Sequence, residues 1–499
     1  MIHSRIVIFS TAVFCVLSGA LGLYAYWNHH TGTDRSATLL PVRGTPWRTT
    51  SEHASTGWPS LHGPTGNGVC YQRGVNPAWP AAGPPALWSQ KVGTGYSSPI
   101  VSQGRLILLH RQDDDEIIEC FASDTGQSEW RFAYPTSYRC KYHYTSGPYS
   151  TPVIDGDRVY AVSATGVMHC VSLELGELVW SRDLMSDYEV EEKLFAAAAS
   201  PLVLEDRLIF NLGAVQRDAG IIALDKLTGE TLWEATDHDA SCATPIAATI
   251  HNREYVFVVT FEGLVSLDPQ TGDIHWEILF RCRAPDSVNA VSPVCHDDLV
   301  FMATGPGPGA ICVRVLPDGS YKELWRDRRA LDSQFNGLVC IDGYVYGFTS
   351  KNQDGVSYRC LDMRTGEIMW NLQSELGRGQ ALAVDNCIVL WGEHGQRSKT
   401  NGPNGSTAAM IPNAAIRADS GTFLMASRNI PTRQTNSRPC NDPTILTANG
   451  MPAAYLSGIA TKNSIKVDEP STIPSTRSFR RKLPPRGLSK ALTMGHPFL

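Results

Sequence analysis

The chain has 499 residues, 42% hydrophobic and only 18% charged, with 43 glycines, 31 prolines and 12 tryptophans. That balance excludes a helical bundle or coiled coil and reads as a turn-rich β protein. The formal net charge of −6 divides unevenly, because from Arg397 onward 14 basic residues face 4 acidic ones while the remainder holds 29 basic and 45 acidic. An acidic body of that kind excludes nucleic acid as its natural partner.

Residues 1–5 read as a short cytoplasmic N-terminus. The next 22 residues, Ile6 to Trp27, carry no charge, and at about 1.5 Å per residue they reach about 33 Å, enough for the bilayer core. Arg5 precedes the run, and Tyr24, Tyr26 and Trp27 stand where interfacial aromatics belong. The segment 6–27 is expected to be a transmembrane signal anchor. A signal peptide cleaved near Ser18-Gly19-Ala20 is the alternative. Either places the body in the periplasm or another extracytoplasmic space, after a linker over 28–57.

Thirteen cysteines in an exported chain suggest disulfides, yet no two are adjacent and no CxxC occurs. Several occupy equivalent places in the repeat that follows, so they read as small buried hydrophobes.

Tryptophans recur at 88, 130, 180, 233, 276, 325 and 370. The cleanest copy of the phrase before them contains Ala223, Asp225, Thr228, Gly229 and Trp233. Asp268, Thr271 and Gly272 precede Trp276, and Asp362, Thr365 and Gly366 precede Trp370. Looser copies run from Cys120 to Trp130 and from Cys170 to Trp180, and the copy ending at Trp325 is degenerate. Upstream of each phrase stand two apolar runs split by a turn, beginning at Ser98-Pro99, Thr151-Pro152, Ser200-Pro201, Thr244-Pro245 and Ser292-Pro293. Apolar runs separated by Asp-Gly or Gly turns are hairpin signals. Each period therefore holds about four short strands, one propeller blade. In the phrase, Asp and Thr satisfy turn amides and Gly permits positive φ. A small residue six positions before the Gly leaves room for an indole to lie across a neighbouring blade. One helix-like insert is expected around Asp187 to Ala197.

The phrase resembles the tryptophan-docking motif A-x-D-x-x-T-G-x-x-x-W of the quinoprotein propeller superfamily. Over 58–395 the chain is similar to bacterial PQQ-binding-like β-propeller repeat proteins, with Gly83-Pro84-Pro85 and Tyr96-Ser97-Ser98-Pro99 adding to the likeness. The resemblance implies an all-β, quinoprotein-type propeller of four-stranded blades, eight in the family. Six clear blades end at Trp130, Trp180, Trp233, Trp276, Trp325 and Trp370. A seventh begins at Gly379, and the segment 84–92 supplies the outer strand of the last blade. Residues 396–499 depart from the family as a basic, low-complexity segment expected to be disordered. It is either a genuine tail or a frame-shifted sequence, and ring closure stays open.

The resemblance also implies, for the superfamily's dehydrogenases, pyrroloquinoline quinone with Ca²⁺, a catalytic Asp and often a vicinal disulfide. No such set maps onto this sequence, so no catalytic, cofactor or metal residue is expected. The repeat aspartates read as turn structure. Asp113-Asp114-Asp115-Glu116 reads as a solvated hairpin tip, with a cation site as the alternative. Tyr138 to Tyr149 reads as a loop packed on the propeller face, with a ligand surface as the alternative. His29, His30, His143 and His169 lack zinc spacing, and Arg480-Arg481-Lys482 reads as a solvated charge run. The expected function is a non-catalytic scaffold for cell-envelope proteins, analogous on fold alone to the propeller lipoprotein of outer-membrane assembly. A quinone-dependent oxidoreductase is the alternative.

Overall fold

The computed structural model describes residues 57–70, 86–141, 145–190, 197–282, 289–350, 355–374, 376–384, 387–392, 397–401, 409–410 and 422–426. The apolar run 6–27, the linker before residue 57, His143 and nearly all of the basic C-terminal segment lie outside them. Among the described residues no helix is long and apolar enough to cross a membrane.

Six four-stranded antiparallel sheets follow one another along the chain, each a simple meander. Blade 1 comprises Ile100–Ser102, Arg105–Gln112, Asp115–Ala122 and Ser128–Pro135. Blade 2 runs from Val153–Asp155 to Leu178–Asp183, and blade 3 from Leu202–Leu204 to Thr231–Ala235. Blade 4 runs from Ile246–Ile250 to Ile274–Leu279, blade 5 from Val294–His296 to Tyr321–Asp327, and blade 6 from Val339–Ile341 to Ile368–Gln373. The middle strands are continuous apolar runs, such as Leu106 to Leu109, because neighbouring sheets cover both of their faces.

The core is accordingly divided among the seams between sheets. Ile107, Leu109 and Ile118 of blade 1 meet Val159, Ala161 and Val171 of blade 2, and Tyr160 and Met168 of blade 2 meet Phe210 and Leu224 of blade 3. The same construction repeats to blade 7. In all six sheets the register slips at the residue before the tryptophan, with Leu232 for example left out of the pairing beside Trp233. Such a bulge bends and twists the outer strand locally.

Blade 7 pairs Gly379–Val384, Cys387–Gly392, Arg397–Asn401 and Ala409–Met410, and it gains Val69–Cys70 as a parallel strand on Gly379–Val384. Ala86–Lys91 pairs with Thr422–Ala426 in a two-stranded sheet. Strand pairing thus continues past residue 395, the propeller boundary expected from sequence. The alternation there is too short to register, since Arg397–Asn401 carries no hydrophobic residue. Most of the helix-like insert expected around Asp187 to Ala197 lies outside the described residues, and one short helical turn is described at its start. It spans Leu184–Asp187, capped by Asp183 accepting from Ser186 N–H.

Candidate functional site: blade seams and the axial segment

The tryptophan phrase builds the seams. Asp225 accepts from the N–H groups of Leu227 (2.7 Å) and Thr228 (2.8 Å), and the Thr228 hydroxyl accepts from Glu230 N–H (3.2 Å). Asp362 and Thr365 repeat this with Arg364, Thr365 and Glu367, as do Asp268 and Thr271 with Gln270 and Asp273. Desolvation opposes it, but these amide donors hold Asp225 below the usual carboxylate range. The aspartates are turn structure.

Gly229 has φ +76, and a Cβ there would lie 2.9 Å from the indole of Trp180, arriving from the preceding blade. Trp180 Nε1 donates to Lys226 O, three residues before that glycine (3.1 Å). Trp88 repeats this with Gly126 and Ser123 O, Trp130 with Gly176 and Leu173 O, Trp233 with Gly272 and Pro269 O, and Trp325 with Gly366 and Met363 O. The glycine, not the small residue six positions earlier, receives the neighbouring indole. Ala223 instead stands across the strand pair from Trp233 of its own blade.

The degenerate copy breaks the chain of docked indoles. Cys312 pairs with Trp325 thirteen positions on, against ten for Cys120 and Trp130. Trp276 therefore meets Tyr321, with ring centroids 4.8 Å apart, and its Nε1 has no hydrogen-bond partner. Trp370 packs on Tyr346 and Tyr358 of its own blade.

A second device was visible only as the Ser/Thr-Pro pairs. Ser98 N–H donates to Thr151 Oγ1, Thr151 N–H to Ser200 Oγ, Ser200 N–H to Thr244 Oγ1 and Thr244 N–H to Ser292 Oγ, at 2.9, 2.9, 3.2 and 2.9 Å. This buried chain of hydroxyls ties the starts of successive blades together. The next step lacks a hydroxyl at Gly337, whose N–H donates to Gln380 Oε1 (2.7 Å).

The inner ends of the blades converge on residues 57–70. Trp58 and Val101 exchange backbone hydrogen bonds, Ile154 N–H donates to Pro59 O, Cys340 N–H to Asn67 O and Ala383 N–H to Gly68 O. One segment thus joins blades 1, 2, 6 and 7. It leaves a cavity of about 10 Å³ lined by His62, Cys242, Ser292, Phe335, Asn336 and Gln380. That is the space of about one water molecule. Burial pushes the His62 imidazole down to about 4, so it is neutral at physiological pH. Pyrroloquinoline quinone does not fit this space.

The remaining candidates resolve individually. Asp113 and Asp114 form an exposed turn, where Asp114 pairs with Arg111 (3.2 Å) and Arg139 (2.6 Å). Glu116 is not part of that tip. It is fully buried, accepting from Ala164 N–H of blade 2 (3.2 Å to each oxygen) and from the Tyr134 hydroxyl (3.1 Å). Burial pushes its carboxyl up to about 7, against those donors and the Arg111 charge. His110 Nδ1 accepts from Gly93 N–H (3.0 Å), which leaves Nε2 to donate to Glu119 (2.8 Å). His169 packs on Tyr134 with its ring tilted and bonds the Ser181 hydroxyl. Tyr138 and Tyr149 pack edge to face. Among the described residues no three His, Cys, Asp or Glu side chains converge to hold a metal ion, and Cys120, Cys170 and Cys360, at equivalent places in the repeat, are free thiols.

A family model described as "Outer membrane protein assembly factor BamB" matches residues 114–372, over half of the chain. The chain belongs to this family of PQQ-like propeller repeats. BamB of Kangiella koreensis is 30% identical over 159 residues, 32% of this chain and 35% of that protein. BamB of Shewanella oneidensis is 24% identical over 199 residues, 40% of this chain and 45% of that protein. The match thus spans less than half the length of these curated BamB relatives. Among solved structures, BamB from Moraxella catarrhalis aligns with a TM-score of 0.42 at 19% identity, covering 60% of this chain and 81% of its own. Quinohemoprotein alcohol dehydrogenase from Comamonas testosteroni aligns at 0.48 and 12%, covering 72% and 74%.

Proposed function

We propose that this chain is a non-catalytic, extracytoplasmic propeller scaffold that binds cell-envelope proteins engaged in outer-membrane protein assembly. The observation that carries the reading is the BamB family match over residues 114–372. The seams agree with it, because docked indoles, the hydroxyl chain and the axial segment all serve to hold blades rigidly while loops and outer edges stay free for partners. Residues 6–27 are assigned as the membrane anchor that keeps the propeller at the envelope.

The test is site-specific photocrosslinking in cells, with the crosslinker placed in turn on exposed loops and outer strands. The expected result is capture of outer-membrane assembly proteins from a limited set of positions. Oxidation of an alcohol by the purified chain with added pyrroloquinoline quinone and Ca²⁺, and no such capture, would overturn the reading in favour of an oxidoreductase.

A further inference from the structure

The outer strand of blade 2, Leu178–Asp183, is the free edge of its sheet. Exposed edges are ordinarily blunted by charge or proline. Blade 1 follows that rule with Glu129, Arg131 and Pro135, and blade 5 with Lys322, Glu323 and Arg326. Blade 2 carries its charges, Arg182 and Asp183, only at the end of the strand and presents Leu178-Val179-Trp180-Ser181 before them, with Leu178 50% and Val179 44% exposed. Leu175, in the turn before it, is 60% exposed, and Leu227 and Leu232 of blade 3 are 53% and 44% exposed.

Hydrogen bonds tie the blade 2 strand to the Leu227 turn of blade 3, while the Leu175 turn that leads into the strand receives Trp130 of blade 1. Trp180 Nε1 and the Tyr160 hydroxyl donate to Lys226 O, Arg158 to Leu227 O, and Arg182 to Gly229 O. The rim is acidic. Glu174, Glu177 and Glu230 are exposed, and none has an ion-pair partner among the described residues. The nearby cations are already engaged, Arg182 with Asp187 and Lys226 with Asp155, each at 2.7 Å. An open backbone edge, an apolar strip and unneutralised carboxylates therefore coincide.

We propose that this edge docks an extended segment of a partner protein in which apolar residues alternate with lysine or arginine. Its backbone continues the blade 2 sheet, its apolar side chains cover Leu175, Leu178 and Leu227, and its cations face Glu174, Glu177 and Glu230. The proposal rests on the scaffold reading and adds the place and chemistry of one partner.

The test uses the full chain and a synthetic peptide of about ten residues alternating lysine and valine, with a glutamate–valine peptide as control. The lysine peptide is expected to bind and to slow amide exchange across 178–181, and the glutamate peptide is expected not to bind. Glu174→Lys with Glu177→Lys should weaken binding about tenfold, a loss of about 1.4 kcal/mol. Asp318→Lys with Asp342→Lys, the same charge change on blades 5 and 6, should leave affinity within about twofold. Equal weakening by both pairs would reduce the effect to net charge and overturn the proposal, as would absence of binding. Crosslinked capture through other faces, with no peptide binding here, sinks this docking site alone. Peptide binding without any envelope partner in cells sinks the scaffold reading.

Discussion

Glu116 shows how far a single side chain can depart from what its neighbours in sequence suggest. It follows three aspartates, two of which form a solvated turn, yet its carboxyl is buried against blade 2 and rises to about 7. The protonated form is favoured in the native state relative to the unfolded chain. Its contribution to stability is therefore complete below about pH 4.5 and is lost as pH climbs through about 7, to the extent of about 3 kcal/mol. His62 and His169, both pushed down to about 4 by burial, act in the opposite sense, since the unfolded chain binds their protons first as pH falls. The difference between wild type and Glu116→Gln isolates the carboxyl. Urea unfolding between pH 4 and 8 should show wild type losing stability relative to the variant as pH rises, and parallel curves would refute the assignment. Residue type foretold none of this, because the hairpin tip ends one position before the strand turns inward.

At the scale of the element, the repeat phrase was legible because each of its parts is demanded by local geometry. Asp and Thr cap a turn, Gly takes positive φ, and Trp follows at a fixed interval. What the phrase does not announce is which blade receives the indole. The receiving glycine belongs to the next copy, 38 to 49 positions away, as with Trp130 and Gly176. The hydroxyl chain was hidden for the same reason, since Ser98 and Thr151 appear only as two instances of one dipeptide until the blades are packed. The lengthened turn before Trp325 then has a measurable effect. Trp233→Phe removes the bond to Pro269 O and leaves a buried carbonyl unpaired, which should cost about 1–3 kcal/mol beyond the change in packing. Trp276→Phe removes an N–H that has no partner and should cost nothing beyond the change in packing. Denaturant midpoints of the two variants decide it, and equal losses would show that Trp276 is docked like the others.

The whole molecule is held at its centre by a segment that no repeat predicts. Residues 57–70 contain neither the tryptophan phrase nor alternating apolar positions, and their partners are the inner ends of blades 1, 2, 6 and 7. Such pairings span most of the chain and leave no periodic trace, whereas the blades themselves are local meanders. The segment should act as a clasp between the first and last blades, complementing the outer pairing of Ala86–Lys91 with Thr422–Ala426. Gly68 is its most sensitive point. Its φ is +75, and a Cβ there would stand 2.9 Å from Leu338 O. Gly68→Val therefore meets both backbone strain of about 1–2 kcal/mol and a clash with blade 6. Its effect should appear first as faster amide exchange at Cys340 and Ala383, which donate to Asn67 and Gly68. Val101 and Ile154, tied to Trp58 and Pro59 at the other end, should keep their protection until exchange proceeds through global opening. Simultaneous loss at all four amides would mean that the clasp and the blades form a single cooperative unit. Unchanged exchange at Cys340 and Ala383 would mean that blades 6 and 7 are held by their seams alone.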